Sequence, residues 1–370
     1  MPANKPSELK EVAKLFAKLG VIAFGGPAAH IAMMQHEVVN KRKWMDEQHF
    51  LDMISATNMI PGPNSTEMAI HIGYHRAGWK GLIIAGLCFI FPAVLITGIF
   101  AWFYKAYGAL PQMQSFVYGI KPAIIAIIIA AIYPLAKKSL KSIELIIICL
   151  AVLVLCLMGY NEILVMFAAG FFAIIVSYFR ESNKDRIIKN IFPFAFISAA
   201  NANLFFIFLK IGAILFGSGY VLFAFLDNEL VSKGILSRQQ LIDAIAVGQF
   251  TPGPVFSSVT FIGYQINGLG GAIVSTIGVF LPSFVFVALL NPLIPKLRKS
   301  KVFSAFLDTV NVASLAIIVT VCYAMGKDSI ADWRTVLIAL TSFIIVFRFK
   351  VNSAFIVLGS SIAGYLLLLL

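Results

Sequence analysis

The chain has 370 residues, 60% of them hydrophobic and 12% charged, with a mean hydropathy of +0.91 and a formal net charge of +12. These values lie outside the soluble globular range and point to an integral membrane protein. In such a chain Lys and Arg collect in cytoplasmic loops, so the basic excess implies a bilayer rather than a nucleic-acid partner.

In chain order, residues 1–14 are polar and acid-containing, with no apolar core leading to a small-residue cleavage site, so they are expected to stay on the mature protein. Next comes "FAKLGVIAFGGP" at 16–27, a lysine followed six residues later by a glycine and proline break. A helix over 46–60 should end at the Pro-Gly-Pro of "MIPGPNSTEMAI", with a new short helix starting near Asn64. Apolar runs long enough for a bilayer core of about 30 Å follow at 82–104, 117–136, 143–158 and 162–179. The second half repeats the series, with runs at 272–290, 302–325, 335–347 and 353–370.

The repetition extends to individual residues. "FLKIGAILFGSG" at 208–219 matches the first motif at an offset of 192, and "FTPGPVFSSVTFI" at 250–262 carries a second Pro-Gly-Pro. Glu37 meets Glu229, Asp52 meets Asp243, "GYHRAGWKG" meets "GYQINGLGG", Pro92 meets Pro282 and Lys121 meets Asn311. The chain is therefore a tandem duplication, divided as 1–190 and 191–370. Loop charge alternates in the first half, where "HRAGWK", "KKSLK" and "RESNKDRIIK" are basic, and the alternation is reversed in the second, where "QINGLG" is uncharged and "PKLRKSK" basic. The fold class expected is an all-α integral membrane protein whose two homologous halves form an inverted repeat with broken or re-entrant helices. Inversion requires an odd number of crossings before the second half, and 190–200 is short for the extra one.

Backbone breaks inside hydrocarbon are tolerated only where protein or a water-filled cavity covers them, and a helix starting there aims free N–H groups at the cavity. An anion site is thus expected at Gly25, Gly26, Pro61, Gly62, Pro63, Asn64 and Ser65, and at Gly217, Ser218, Pro252, Gly253, Pro254, Ser257 and Ser258. Lys18 and Lys210 are candidate paired counter-charges, with snorkelling toward an interface as the alternative. Glu67 is either a proton carrier or paired with a basic residue, and Glu37 and Glu229 are further proton-coupling candidates.

At these residues the chain resembles the chromate transporter family in its two-domain, long-chain form, over 16–92 and again over 208–282. The resemblance implies a permease of the bacterial cytoplasmic membrane that exports chromate, an oxyanion with the shape and charge of sulfate. The sequence departs from the pattern in reading "FGSG" for "FGGP" in the second copy and in placing Glu67 after the first Pro-Gly-Pro.

The remaining groups are weaker signals. Cys88, Cys149, Cys156 and Cys322 lie in apolar runs and read as small apolar residues. His71 and His75 are four apart, but their counterparts Phe261 and Gln265 cannot ligate, so no metal is expected. His30 and His36 are placed at a cavity edge or interface, with a protonatable role open. No Walker motif or nucleotide fold is visible, so transport should be secondary, with no cofactor and no enzymatic activity. A sulfate or other oxyanion permease is the nearest alternative, a membrane oxidoreductase built on the histidines a more distant one, and a homo-oligomer stays open.

Overall fold

The structure, a computed structural model, describes residues 6–24, 26–107, 111–180, 200–216, 219–290, 300–349 and 351–369. Gly25, Gly217 and Ser218, and all of the 190–200 segment on which the extra crossing was placed except Ala200, lie outside these residues. The described residues hold helices and no strand.

The first half contains α1 (Pro6–Ile22), α2 (Gly26–Gln35), a π-helical turn (His36–Lys41), α3 (Glu47–Thr57), α4 (Asn64–Tyr107), α5 (Pro111–Ser139), α6 (Ile143–Leu157) and α7 (Glu162–Arg180). The second half repeats the order with α8 (Ala200–Ile214), α9 (Val221–Leu226), a π turn (Asp227–Val231), α10 (Arg238–Phe250), a 3-10 turn (Val255–Ser257), α11 (Ser258–Leu290), α12 (Lys301–Ser329), α13 (Trp333–Phe349) and α14 (Ser353–Leu369). Even the π turns recur, just after α2 and α9.

Local chemistry sets the helix ends. Asp46 caps α3 by accepting from the His49 amide, and Ser237 and Gln240 form a capping box on α10. Both Pro-Gly-Pro motifs stop the preceding helix, and α4 starts at Asn64 as expected. Buried Val12, Leu15, Phe16 and Leu19 recur at i, i+3, i+4 and i+7 along α1, giving it one apolar face, which packs on α4; α8 packs on α11 in the same way.

"HRAGWK" and "QINGLG" are sharp reversals rather than extended loops. Ala77 (φ −141°, ψ 26°) and Gly78 (φ 59°, ψ −149°) turn α4 back on itself, and Asn267 (φ −140°, ψ 36°) and Gly268 (φ 58°, ψ −149°) do the same in α11. The positive φ requires glycine at the turn. Close approach of the two limbs requires another pair: a Cβ on Gly73 would lie 2.3 Å from the Gly81 carbonyl oxygen, and one on Gly263 2.3 Å from that of Gly271. Each hairpin therefore has a short limb starting at Pro-Gly-Pro and a long limb.

Among the described residues, four segments are long and apolar enough to cross a membrane, Asn64–Tyr107, Val117–Ser139, Val255–Leu289 and Val302–Ser329. Ile83, Leu87, Phe91 and Leu95 form an exposed apolar stripe at every fourth position of α4, and Ile273, Ile277, Leu281 and Val285 repeat it on α11. With the outer surface this apolar, the chain is a multi-pass membrane protein.

The halves run antiparallel. The hairpin tip of the first half lies beside the start of α1, where Arg76 pairs with Glu8 at 3.6 Å and Glu11 at 3.0 Å. The corresponding tip of the second half lies at the far end of α4, where Gln265 donates to the Ala101 carbonyl at 2.9 Å and Lys105 sits over the Tyr264 ring. Two reciprocal backbone bonds join the halves: Gly62 N–H donates to the Leu215 carbonyl at 2.7 Å and Gly253 N–H to the Ala23 carbonyl at 2.8 Å. Ala23 and Leu215 are themselves repeat equivalents, as expected of an isologous contact.

Candidate functional site

These bonds decide what the Pro-Gly-Pro motifs offer a ligand. Pro61, Gly62 and Pro63 are buried, as are Pro252, Gly253 and Pro254. The Gly62 and Gly253 amides, expected to face an anion, instead satisfy the carbonyls left open where α1 and α8 end. Ser257 and Ser258 are also buried, and Ser257 accepts from Thr97 Oγ1 across the halves at 3.2 Å. Gly26, with φ +83°, begins α2, and Ser65 is buried in the first turn of α4.

Lys18 and Lys210 likewise have protein partners. Lys18 Nζ lies 2.8 Å from Glu37, and Lys210 Nζ lies 2.6 Å from Glu229. Each lysine is about half exposed, while the carboxylates are buried and take further cations, Lys41 and Arg42 on Glu37 and Lys233 on Glu229. The Lys18 hydrogen bond, against an opposing burial effect, holds the Glu37 carboxyl below its ordinary range. Burial alone would raise Glu229, but hydrogen bonds from Lys210 and Lys233 outweigh it and hold it low as well. The π turns bring each Glu back to a lysine 19 positions earlier, giving one matched ion pair per half.

Glu67 has no such cation among the described residues. It is fully buried, with Oε1 accepting from Ser283 of α11 at 3.3 Å and Oε2 lacking a partner. The Gly62 backbone lies directly over it. His71, one turn further, is also buried with an unpartnered Nε2. His30, expected at an edge, is buried instead because its Nε2 bonds the Ala23 carbonyl at 3.0 Å, another group satisfying that break. His75 contacts the His49 ring, and no cluster of three metal-ligating side chains occurs among the described residues. The four cysteines are free.

A cavity of about 280 Å³ opens beside the first Pro-Gly-Pro. Asn58, Met59 and Asn64 from the break line it, with Lys138, Ser139 and Lys141 from the end of α5 and Ser304, Asp308, Asn311 and Ser314 from α12. Asn64 donates to Asn58 at 2.9 Å, leaving the Asn58 amide hydrogens for a ligand. Lys141 is tied to Asp308 at 2.8 Å, and among the described residues Lys138 is the lining cation without an ion-pair partner. Ser314 donates to the Phe216 carbonyl at 3.1 Å, joining the wall to the second half's glycine break. At about 30 Å³ per water, the space holds on the order of nine waters, enough for a small oxyanion with part of its hydration shell.

Of the residues expected at the anion site, Asn64 lines this cavity; the lysines and the Pro-Gly-Pro glycines do not. Sequence reasoning missed Asn58, Lys138 and Asn311. Lys138 was visible only as loop charge in "KKSLK", and Asn311 only as the repeat partner of Lys121.

Comparison with known proteins agrees with the duplication. The family model described as chromate transporter matches twice, over residues 10–174 and 202–365. A chromate transport protein of Cupriavidus metallidurans is 31% identical over 96% of this chain and 92% of its own length. A probable chromate transport protein of Synechococcus elongatus is 30% identical over 96% and 95%, and a chromate transport protein of Pseudomonas aeruginosa 26% identical over 98% and 93%. No solved structure matches the chain. With both halves matched and these relatives aligned over nearly their full length, the chain belongs to the chromate transporter family.

Proposed function

We propose that this protein is a secondary transporter that exports chromate, a tetrahedral dianion, across the bacterial cytoplasmic membrane through a path between its two inverted halves. The observation that carries the reading is the cavity at the first Pro-Gly-Pro break, where Lys138 supplies charge and Asn58, Asn64 and Asn311 supply amide donors. Amides and hydroxyls satisfy oxyanion oxygens without binding them so tightly that they cannot leave.

Loop charge orients the path. The cavity lies at the "KKSLK" end of α5, which the positive-inside tendency assigns to the cytoplasm, so the conformation described is inward-facing. Moving a dianion out of a negative-inside cell releases about 4.6 kcal/mol per 100 mV, which favours export without ATP. Glu67 is the residue assigned to proton coupling, because Glu37 and Glu229 are committed to ion pairs and Glu67 pairs with no cation among the described residues. Lys18, Lys210 and the two Pro-Gly-Pro motifs then hold the path's shape rather than contact the anion.

Chromate and sulfate flux into proteoliposomes containing the purified protein tests the reading. Flux that falls at least tenfold on Lys138→Met, with normal insertion, is the expected outcome, since a charge-assisted contact contributes about 1.5–3 kcal/mol. Parental-rate flux in that variant would remove the cavity from the path.

A further inference from the structure

We propose that the second half holds a second, occluded oxyanion station at the opposite end of the path, built from Gln249, Ser329 and Lys121 and closed by Tyr220. This rests on the transport reading above and extends it to the exit side.

The repeat relation places the station. It carries the cavity residues Asn58, Ser139 and Asn311 onto Gln249, Ser329 and Lys121. The chemistry is preserved as an amide, a hydroxyl and a cation, with the positive charge moved from Lys138 to Lys121, since Lys138 itself is matched by Asp328. That aspartate is taken up by Arg238 at 3.0 Å. Asp243, the acid on which Lys121 acts, receives hydrogen bonds from Tyr104 and Gln239.

Two buried side chains at these positions have polar atoms that the described residues leave short of hydrogen bonds. Ser329 is 3% exposed with its Oγ unpartnered among the described residues, and Gln249 is 5% exposed with its Nε2 approached by the Tyr220 hydroxyl but making no full hydrogen bond. Buried donors left open are uncommon and costly, and a ligand that accepts hydrogen bonds accounts for both. A tetrahedral oxyanion, with acceptors on every side, is such a ligand.

The same comparison identifies what closes the station. Tyr220 occupies the repeat position of exposed Ala28, directly after the glycine break. Its hydroxyl meets the Gln249 side chain, and its ring packs against the buried cluster of Ala123, Ile127, Ile338, Ile356 and Val357, which Ile120, next to Lys121, also borders. A small residue at the open end and a tyrosine at the closed end distinguish the halves where the path must be shut.

The test uses the full chain in proteoliposomes, with the four native cysteines replaced and Ser329→Cys as reporter. A membrane-impermeant maleimide is applied from the face opposite Lys138, in mildly alkaline buffer where chromate is a dianion. Labelling should be slow, should rise about tenfold on adding Tyr220→Ala, as expected for loss of one buried hydrogen bond, and should stay slow with Tyr220→Phe only in part. Chromate should slow the labelling of the opened variant. Gln249→Cys serves as the reporter if Ser329→Cys does not insert. Labelling unchanged by Tyr220→Ala, labelling from the Lys138 face alone, or no protection by chromate overturns the station. Parental chromate flux, measured in the same vesicles, separates the two readings: flux without protection refutes the station alone, and absence of flux refutes the transport reading with it.

Discussion

Replacing Gly62 by alanine tests the contact on which the first break depends. Gly62 has φ +134°, where a side chain is strained by about 1–3 kcal/mol. The new methyl would also lie 2.3 Å from Glu67 Oε1 and 2.7 Å from Ser283 Oγ, so the two must separate. Losing that buried hydrogen bond adds about 1–3 kcal/mol, for a total of roughly 2–6. Gly26→Ala is the matched control: φ is +83°, but nothing lies within 4 Å of the added atom, so strain of about 1–2 kcal/mol is the whole effect. Thermal inactivation in detergent micelles, at roughly 2 °C per kcal/mol, should place Gly62→Ala several degrees below Gly26→Ala. Adding Ser283→Ala to Gly62→Ala should recover part of the difference by removing one of the clashing atoms. Equal midpoints for the two single variants would refute the claim that Gly62 is required by Glu67 and Ser283.

Three further outcomes are expected. Glu37 is held below its ordinary value of 4.5, so its stabilisation is complete above that pH and is lost as pH falls through the lowered value; Glu37→Gln should flatten this acid limb in a detergent unfolding titration, and an unchanged limb would exclude Glu37 as its source. Glu67→Gln keeps a group able to bond Ser283 but carries no exchangeable acid proton, so chromate flux should lose its pH dependence, whereas a profile like the parent's would assign coupling elsewhere. Lys138→Cys and Leu269→Cys, both at exposed positions, should react with an impermeant thiol reagent from opposite sides of the membrane, and labelling from one side would sink the assigned orientation.

Proline and glycine made much of the fold legible. Pro61, Gly62 and Pro63 stop a helix through backbone geometry, which needs no knowledge of neighbours, and recurrence at 252–254 identifies the duplication. The destination of the freed amide was not legible, because the Gly62 partner is a carbonyl of the other half, 153 positions away by residue number. The ion pairs were partly visible. Lys18 and Glu37, and Lys210 and Glu229, keep the same spacing of 19 in both halves, a signal that the members are partners rather than separate ligands. The cavity was hidden for a different reason. Asn58 follows the end of α3 while Lys138 and Asn311 lie in α5 and α12, and each alone reads as an ordinary polar residue near a helix end or within an apolar run.

The two bonds that lock the halves together, Gly62 to Leu215 and Gly253 to Ala23, are made entirely by main-chain atoms. A lock of this kind is blind to side-chain identity at its acceptors: the bond is the same whether the carbonyl belongs to alanine or leucine. The duplicated halves could therefore diverge after the duplication without losing their docking. Tyrosine could replace alanine, and aspartate lysine, at matched positions while the joint persisted. Symmetry kept in the backbone left the side chains free to become different, so the two ends of one ancestral fold need not be alike.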